Sequence, residues 1–100
     1  MALLLPKDPA FRSKRLREAA RGQACVRCSA QDGTVVLAHL PMADEFGMGY
    51  KTHDWLGAHL CRACHDYVDG PEGRADAELR HRLLVRTLKR LFAQGMVVVR

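Results

Sequence analysis

The sequence contains no long hydrophobic run, only six aromatic residues, and no internal repeat or low-complexity segment. Its apolar stretch MALLL at residues 1–5 is far shorter than the roughly 20 residues of a membrane-spanning helix. Pro6 follows this stretch before any cleavage-site pattern. We therefore expect neither a signal peptide nor a membrane span, and we expect a cytoplasmic protein.

Acidic residues are missing from the last part of the chain, where no Asp or Glu follows Glu78. The basic residues beyond it are Arg80, Arg82, Arg86, Lys89, Arg90 and Arg100. A second basic segment covers residues 7–21, and the whole chain carries a net charge of +5. This distribution favours a polyanionic partner, most simply nucleic acid. Solvated helix faces give the same pattern, so charge alone does not separate the two interpretations.

The four cysteines form two CxxC pairs, CVRC at 25–28 and CRAC at 61–64, separated by thirty-two residues. A chain of 100 residues gains only marginal stability from its hydrophobic core, so a further cross-link is expected. Tetrahedral zinc takes four thiolates, whereas disulfides are rare in a reducing compartment. We predict one structural zinc that closes around an inserted strand and loop at residues 34–54. Its ligands are Cys25, Cys28, Cys61 and Cys64.

Two other uses of these cysteines fit the residues less well. CRACH at 61–65 matches the CxxCH pattern of c-type haem attachment. That chemistry requires an export route and leaves the first CxxC pair unexplained. A thioredoxin-like redox pair would follow a buried strand in a βαβ unit, and the sequence predicts little sheet.

The first half of the chain predicts one helix and one strand. A basic helix is expected from Pro9, with Asp8 as its cap, to Arg21, where Gly22 ends it. TVVLAHL at 34–40 is rich in β-branched residues and predicts a strand that ends near His39. Residues 41–54 contain a proline and two glycines, which predicts a loop with at most a fragment of strand.

The second half predicts two helices within a single α+β domain that covers residues 1–100. A short helix is expected at 62–68, ended by Gly70 and Pro71. A longer amphipathic helix is expected at about 76–94, followed by a possible strand at MVVVR. Its apolar stripe is interpreted as core. The stripe consists of Leu79, Leu83, Leu84, Leu88, Leu91 and Phe92.

Three polar side chains lie where the predicted elements could expose them. His39 ends the strand, His65 directly follows Cys64, and Asp69 lies one helical turn beyond His65 on the same face. Taken singly, a strand histidine is more often structural, and the other two could form a surface ion pair. Their order along the chain, between and after two CxxC pairs, suggests a shared site.

That order resembles the HNH, or ββα-metal, endonucleases, in which two CxxC knuckles frame a β-hairpin and a short helix. The segments VVLAHL and GMGYKTHDWLGAHLCRACHDYVDG look like the Rap/Ybc nucleases, a recombination-endonuclease group of lambdoid phages and prophages. The resemblance covers roughly residues 12–95 and places its core motif at about 22–70. It also implies that the protein is located in the cytoplasm of a bacterium or of a phage-infected host cell.

The resemblance also implies roles for individual residues. His39 would be the general base that activates water, and Asp54 would occupy the polar position that orients this base. His65 would bind the catalytic divalent metal, Mg²⁺ or Mn²⁺. Many HNH enzymes have an aspartate before the base, where this chain has Ala38. The second metal ligand is therefore open, with Asp69, Asp54 and His53 as candidates in that order.

We accordingly expect a metal-dependent DNA endonuclease that selects DNA by shape or branching and needs no small-molecule cofactor. The alternative is a zinc-ribbon nucleic-acid-binding or adaptor protein without catalysis, which the alanine at position 38 favours. Phosphate contacts are sequence-independent and are supplied by basic side chains. The candidates for these contacts are Lys51, Arg12, Lys14, Arg15 and Arg62.

Overall fold

A computed structural model describes residues 10–42 and 53–98. These residues form a two-stranded sheet surrounded by helices, which confirms the predicted α+β class. None of the helices in the described ranges is long and apolar enough to cross a membrane. The elements are α1 Lys14–Ala19, β1 Val36–His39, a 3-10 turn at Asp54–Leu56, β2 Gly57–Leu60, α2 Arg62–Asp69, α3 Pro71–Ala75 and α4 Ala77–Ala93.

The two strands pair antiparallel, with Val36 opposite Leu60 and His39 opposite Gly57. Every residue of β2 is buried, whereas β1 is only partly covered. Glycine at position 57 leaves room for the side chain of Leu37, which would have to shift to admit a Cβ because the two would lie 2.8 Å apart. The strand β2 is too short for its residue pattern to predict it, although the hairpin of the resembled family implies it. The hairpin holds His39 at one end and leads into the second CxxC pair at the other.

The first helix is shorter than predicted. It begins after Ser13, whose side chain accepts a hydrogen bond from the backbone N–H of Leu16 at 3.2 Å. The predicted start at Pro9 lies outside the described residues, but residues 10–13 are not helical. Their backbone instead bonds to the 3-10 turn, with the carbonyl of Phe11 accepting from the N–H of Asp54 at 2.9 Å. These long-range hydrogen bonds override the local helix signal.

The long C-terminal helix α4 confirms its prediction. Asp76 caps it by accepting from the N–H of Leu79 at 3.0 Å, and Leu83 and Leu91 are buried. The apolar stripe does not lie wholly in the core, because Phe92 is 47% exposed. Thr87 is buried instead, where its hydroxyl accepts from the N–H of His59 at 3.1 Å.

The predicted short helix at 62–68 is confirmed, because α2 ends at Asp69 with Gly70 as its cap. Pro71 then begins the extra short helix α3, since proline is well tolerated in a first helical turn. One further expectation for the second half was wrong. Residues 96–98, the described part of MVVVR, form no strand. The backbone N–H of Met96 instead donates a hydrogen bond to the carbonyl of Leu91 at 2.9 Å, which completes the turn after α4.

Candidate functional site

The four cysteines lie together at the base of the hairpin, as the spacing predicted. Their sulfur atoms are all within 4.8 Å of one another, and the Sγ atoms of Cys28 and Cys61 are 3.6 Å apart. A tetrahedral zinc with Zn–S bonds of about 2.3 Å holds its sulfurs about 3.8 Å apart. The cluster is therefore compatible with a structural metal such as zinc.

The thiols of Cys25 and Cys64 differ in how readily they ionise. Burial raises the pKa of Cys25, but hydrogen bonds from neighbouring backbone N–H groups outweigh this and lower it to about 6. Burial raises the pKa of Cys64 to about 12. Four adjacent thiols ionise together only when a metal neutralises their charge. The donor set thus fits zinc by chemistry as well as by geometry.

Arg27 lies between Cys25 and Cys28 and donates hydrogen bonds to the sulfur atoms of this cluster. Its guanidinium donates to Sγ of Cys64 at 3.4 Å and lies 4.1 Å above the ring of Tyr67. Its backbone N–H donates to Sγ of Cys25 at 3.4 Å. Sequence reasoning missed this role, because nothing in the CVRC spacing distinguishes a bracing arginine from a solvated one.

His39 and Asp54 form the centre of a second site at the other end of the hairpin. Nε2 of His39 lies 2.9 Å from Oδ1 of Asp54. The histidine side chain is 33% exposed, whereas that of the aspartate is fully buried. The strand end thus presents one imidazole to solvent, with a buried carboxylate behind it.

Asp54 is held by donors from the N-terminal segment. Its Oδ2 accepts from the backbone N–H of Ser13 and from the guanidinium of Arg17, both at 2.6 Å. Arg12 approaches Oδ1 at 3.4 Å. Burial alone would raise the pKa of Asp54, but the bonds from Ser13, His39 and Arg17 outweigh it and lower it to about 2. The carboxylate is therefore ionised at neutral pH and acts only as an acceptor.

This pairing fixes what His39 can do chemically. A carboxylate at one ring nitrogen sets the ring orientation, places the proton on that nitrogen and leaves the other nitrogen as an acceptor. It also stabilises the imidazolium that forms when the ring takes a proton. The geometry therefore suits His39 to act as a general base through Nδ1.

His65 and Asp69 form a separate pair on α2. Nε2 of His65 lies 3.2 Å from Oδ2 of Asp69, with both side chains partly exposed. Imidazole and carboxylate are suitable ligands for a divalent cation. Within residues 10–42 and 53–98, the cysteine cluster is the only group of three or more potential ligands. The pair could therefore hold a metal only with help from water or substrate oxygens.

The other two candidates for a second metal ligand already accept hydrogen bonds. The oxygens of Asp54 accept the bonds described above, and Nδ1 of His53 accepts from the backbone N–H of Phe11 at 2.8 Å. Ala38, which replaces the usual aspartate of HNH enzymes, is 1% exposed and belongs to the core. Among the three candidates, only Asp69 is in contact with His65.

A basic groove lies between α1 and β1. It has a volume of about 380 Å³, and its lining includes Lys14, Arg17, Arg21 and Val36 together with one acidic residue, Glu18. Arg17 belongs both to this groove and to the set of donors around Asp54. Sequence reasoning missed Arg17 because 37 residues separate it from its carboxylate partner.

The predicted phosphate-binding residues are dispersed. Lys14 lines the groove and lies 3.8 Å from Glu18, whereas Arg12 approaches Asp54. The guanidinium of Arg15 lies 3.9 Å from the sulfur of Met96. Arg62 is exposed at the start of α2, and Lys51 lies outside the described residues.

The known proteins that this chain matches are named as nucleases. The family profile described as "Putative nuclease YbcO" matches residues 14–96. Two curated proteins are each 42% identical over 59 residues, "Putative nuclease YbcO" of Escherichia coli (strain K12) and "Putative nuclease ybcO" of Enterobacteria phage 82. The match covers 54% of this chain and 62% of the length of each relative. No solved structure matches the chain significantly.

Proposed function

Because the chain belongs to the family described as "Putative nuclease YbcO", we propose that it is a metal-dependent DNA endonuclease of the HNH type. The observation that carries this proposal is the pair formed by His39 and Asp54 at 2.9 Å. It joins an accessible imidazole to a buried, ionised carboxylate at the end of a hairpin whose other end carries the cysteine cluster. The combination matches the order of functional residues in HNH enzymes.

His39 is proposed as the general base. Its Nδ1 takes a proton from a water molecule, whose oxygen then attacks the phosphorus while the bond to the 3′ oxygen breaks. Asp54 is proposed as the positioning residue that holds the ring and stabilises the imidazolium. In this chain the anchoring of Asp54 by Ser13 and Arg17 keeps that carboxylate fixed during the proton transfer.

His65 and Asp69 are proposed to hold the catalytic Mg²⁺ or Mn²⁺. When bound, the cation neutralises charge on the phosphate and on the leaving oxygen. The support for this assignment is the contact between the imidazole and the carboxylate on α2. The zinc at the four cysteines is proposed to be structural, because four thiolates leave no open coordination position for a substrate.

The basic groove of α1 is proposed to contact the phosphate backbone near the cleavage site, with Lys51, Arg15 and Arg62 as outer contacts. Such contacts carry no sequence information, which agrees with selection by DNA shape. We further propose that the protein acts on branched or recombination intermediates in the cytoplasm of a bacterium or a phage-infected cell. The relative from Enterobacteria phage 82 supports the phage association.

The alternative is a zinc-containing nucleic-acid-binding or adaptor protein that does not cut DNA. The burial of Ala38 favours it, since this position cannot supply the metal ligand that many HNH enzymes have there.

A cleavage assay separates the two functions. Supercoiled, linear and branched DNA are each incubated with the protein and with Mg²⁺ or Mn²⁺, and products are resolved on gels. The nuclease proposal predicts cleavage that requires the divalent ion. Binding of DNA without cleavage under any of these conditions would contradict it and establish the binding protein instead.

A further inference from the structure

Three ring side chains belong to residues that adjoin the buried Asp54, two as its neighbours in sequence and one through a hydrogen bond to its backbone N–H. These residues are Phe11, His53 and Trp55, and we call their ring side chains the aromatic rim. Phe11 is 50% exposed and Trp55 is 41% exposed. The rings of His53 and Trp55 are stacked, with centroids 5.3 Å apart and an angle of 23° between their planes.

The backbone of the aromatic rim is fixed by hydrogen bonds. Phe11 donates its N–H to Nδ1 of His53 at 2.8 Å and accepts from the N–H of Asp54 at 2.9 Å. The carbonyl of Leu56 accepts from the N–H of Leu40 at 2.9 Å, which ties the turn to the strand that carries His39. The backbone that carries the rim is therefore bonded both to Asp54 and to the strand of His39.

The setting of the rim suggests its ligand. Large exposed aromatic side chains beside a polar site often mark a binding surface. Here the guanidinium groups of Arg12 and Arg17 contact the carboxylate of Asp54, whose two sequence neighbours carry two of these rings. Exposed rings next to cationic groups are the combination that binds single-stranded nucleic acid, with rings stacking on bases and cations contacting phosphates.

We propose that the aromatic rim stacks on an unpaired base of the strand being cut, so that the protein selects single-stranded or branch-point DNA over blunt duplex. This inference rests on the proposed nuclease function and names the residues that would recognise its proposed branched substrate. The faces of paired bases are covered by their neighbours in a duplex, so an aromatic platform gains contact only with a base that is unstacked. Stacking does not depend on base identity, so the aromatic rim would add no sequence preference.

Trp55 is the only tryptophan of the chain, so its fluorescence reports directly on stacking. The wild-type protein is titrated without added divalent ions with a single strand, a Y-shaped branched DNA and a blunt duplex of equal length. We expect the single strand and the branched DNA to quench the emission strongly and the duplex to quench it little. Equal quenching by all three would overturn the proposal.

Variants test whether the ring itself supplies the preference, with binding followed through a fluorescent label on the DNA. Stacking one base on an aromatic side chain is worth about 1–3 kcal/mol, or about 5- to 150-fold in affinity. Trp55→Ala should therefore weaken single-strand binding by about 5- to 150-fold and leave duplex binding unchanged. Trp55→Phe keeps a ring and should lose only a small part of the affinity for single strands. Phe92→Ala removes an equally exposed aromatic of α4 and serves as the matched control without effect.

The two proposals fail in different ways. Selective quenching without cleavage would support base stacking by the aromatic rim and contradict the proposed nuclease function. Two outcomes would contradict the role of the aromatic rim without affecting the proposed nuclease function. One is cleavage of blunt duplex and single strand at equal rates, and the other is single-strand binding by Trp55→Ala that equals the wild type. Zinc content and circular dichroism of each variant show that it is folded.

Discussion

Asp54 connects the three parts of the candidate active site at the scale of single residues. It contacts His39, it accepts from the N-terminal segment through Ser13 and Arg17, and its two neighbours in sequence belong to the aromatic rim. The side chain is fully buried, yet four charged or polar groups reach it, the fourth being Arg12. A carboxylate held in this way positions the imidazole with little freedom, which a general base requires.

The ionisation of Asp54 predicts how stability depends on pH. Its pKa lies near 2 in the folded protein, below the ordinary value of about 3.9 for an unfolded chain. The folded state therefore binds fewer protons in this range, so the stabilisation is complete above about pH 4 and is lost as pH falls toward 2. At about 1.4 kcal/mol per pKa unit, the carboxylate contributes roughly 2 to 3 kcal/mol at neutral pH.

The measurement compares the free energy of unfolding of the wild type and Asp54→Asn from pH 8 to pH 3. The difference between them should be constant down to about pH 5 and should shrink below pH 4. Loss of metal in acid affects both proteins alike, which is why the difference is followed. A difference that already shrinks between pH 8 and pH 6 would mean that Asp54 is not the ionised group described here.

The residue-scale chemistry could be predicted from the sequence only in part. The positions of His39, His65 and Asp69 on a strand end and one helix face follow from local patterns. The anchoring of Asp54 does not, because Ser13 and Arg17 contact it across 41 and 37 residues of chain. Local periodicity carries no information about contacts of that kind.

At the scale of elements, the α2–α3 junction sets a strict packing condition. A Cβ on Gly73 would lie 2.3 Å from Cα of Val68 and 2.6 Å from the carbonyl oxygen of Tyr67, both backbone atoms. The carbonyl of Gly73 also accepts from the buried guanidinium of Arg80 at 2.8 Å. The short helix α3 is thus pressed against the helix that carries His65.

Gly73→Ala should therefore destabilise the protein, because the backbone must move apart to admit the methyl group. Overpacking of this kind typically costs about 1–3 kcal/mol. Thermal unfolding measures the effect. Gly70→Ala is the matched control, since its Cβ would meet backbone oxygen at 3.3 Å and should cost clearly less. A melting temperature for Gly73→Ala equal to the wild type would contradict the packing.

Elements with a long, regular pattern could be predicted, and those fixed by tertiary contacts could not. The helix α4 has four turns of apolar periodicity and a capping aspartate, so its bounds were close to correct. The N-terminal helix began later than predicted because residues 10–13 bond to the 3-10 turn instead of to one another. The strand β2 is four residues long and starts with glycine, which gives the sequence no strand signal.

At the scale of the whole molecule, the cysteine cluster joins the two ends of the inserted segment. Cys25 and Cys28 precede the hairpin, and Cys61 and Cys64 follow it directly into α2. Binding of zinc to such a set contributes about 10–16 kcal/mol in small zinc-finger peptides, more than the entire stability of a typical domain. The paired spacing made this cluster the most predictable feature of the sequence.

Removal of zinc should therefore unfold the protein. Elemental analysis should give one zinc per chain, and a strong chelator or the double variant Cys61→Ser/Cys64→Ser should abolish cooperative thermal unfolding. Arg62→Ala lies between the same two cysteines at an exposed position and should melt like the wild type. Normal folding of the double variant, or purified protein without zinc, would show that the cluster is not a structural metal site.

The proposed mechanism has His39 transfer a proton while His65 holds a divalent cation, and one rate measurement distinguishes these roles. Cleavage rates of wild type, His39→Ala and His65→Ala are measured across a range of Mg²⁺ and Mn²⁺ concentrations. Loss of a positioned base costs roughly 10²- to 10⁴-fold, so His39→Ala should stay slow at every metal concentration. His65→Ala should be equally slow at low metal and recover partly as the concentration rises, because its defect is in metal affinity. Cleavage by His39→Ala at the wild-type rate would contradict the claim.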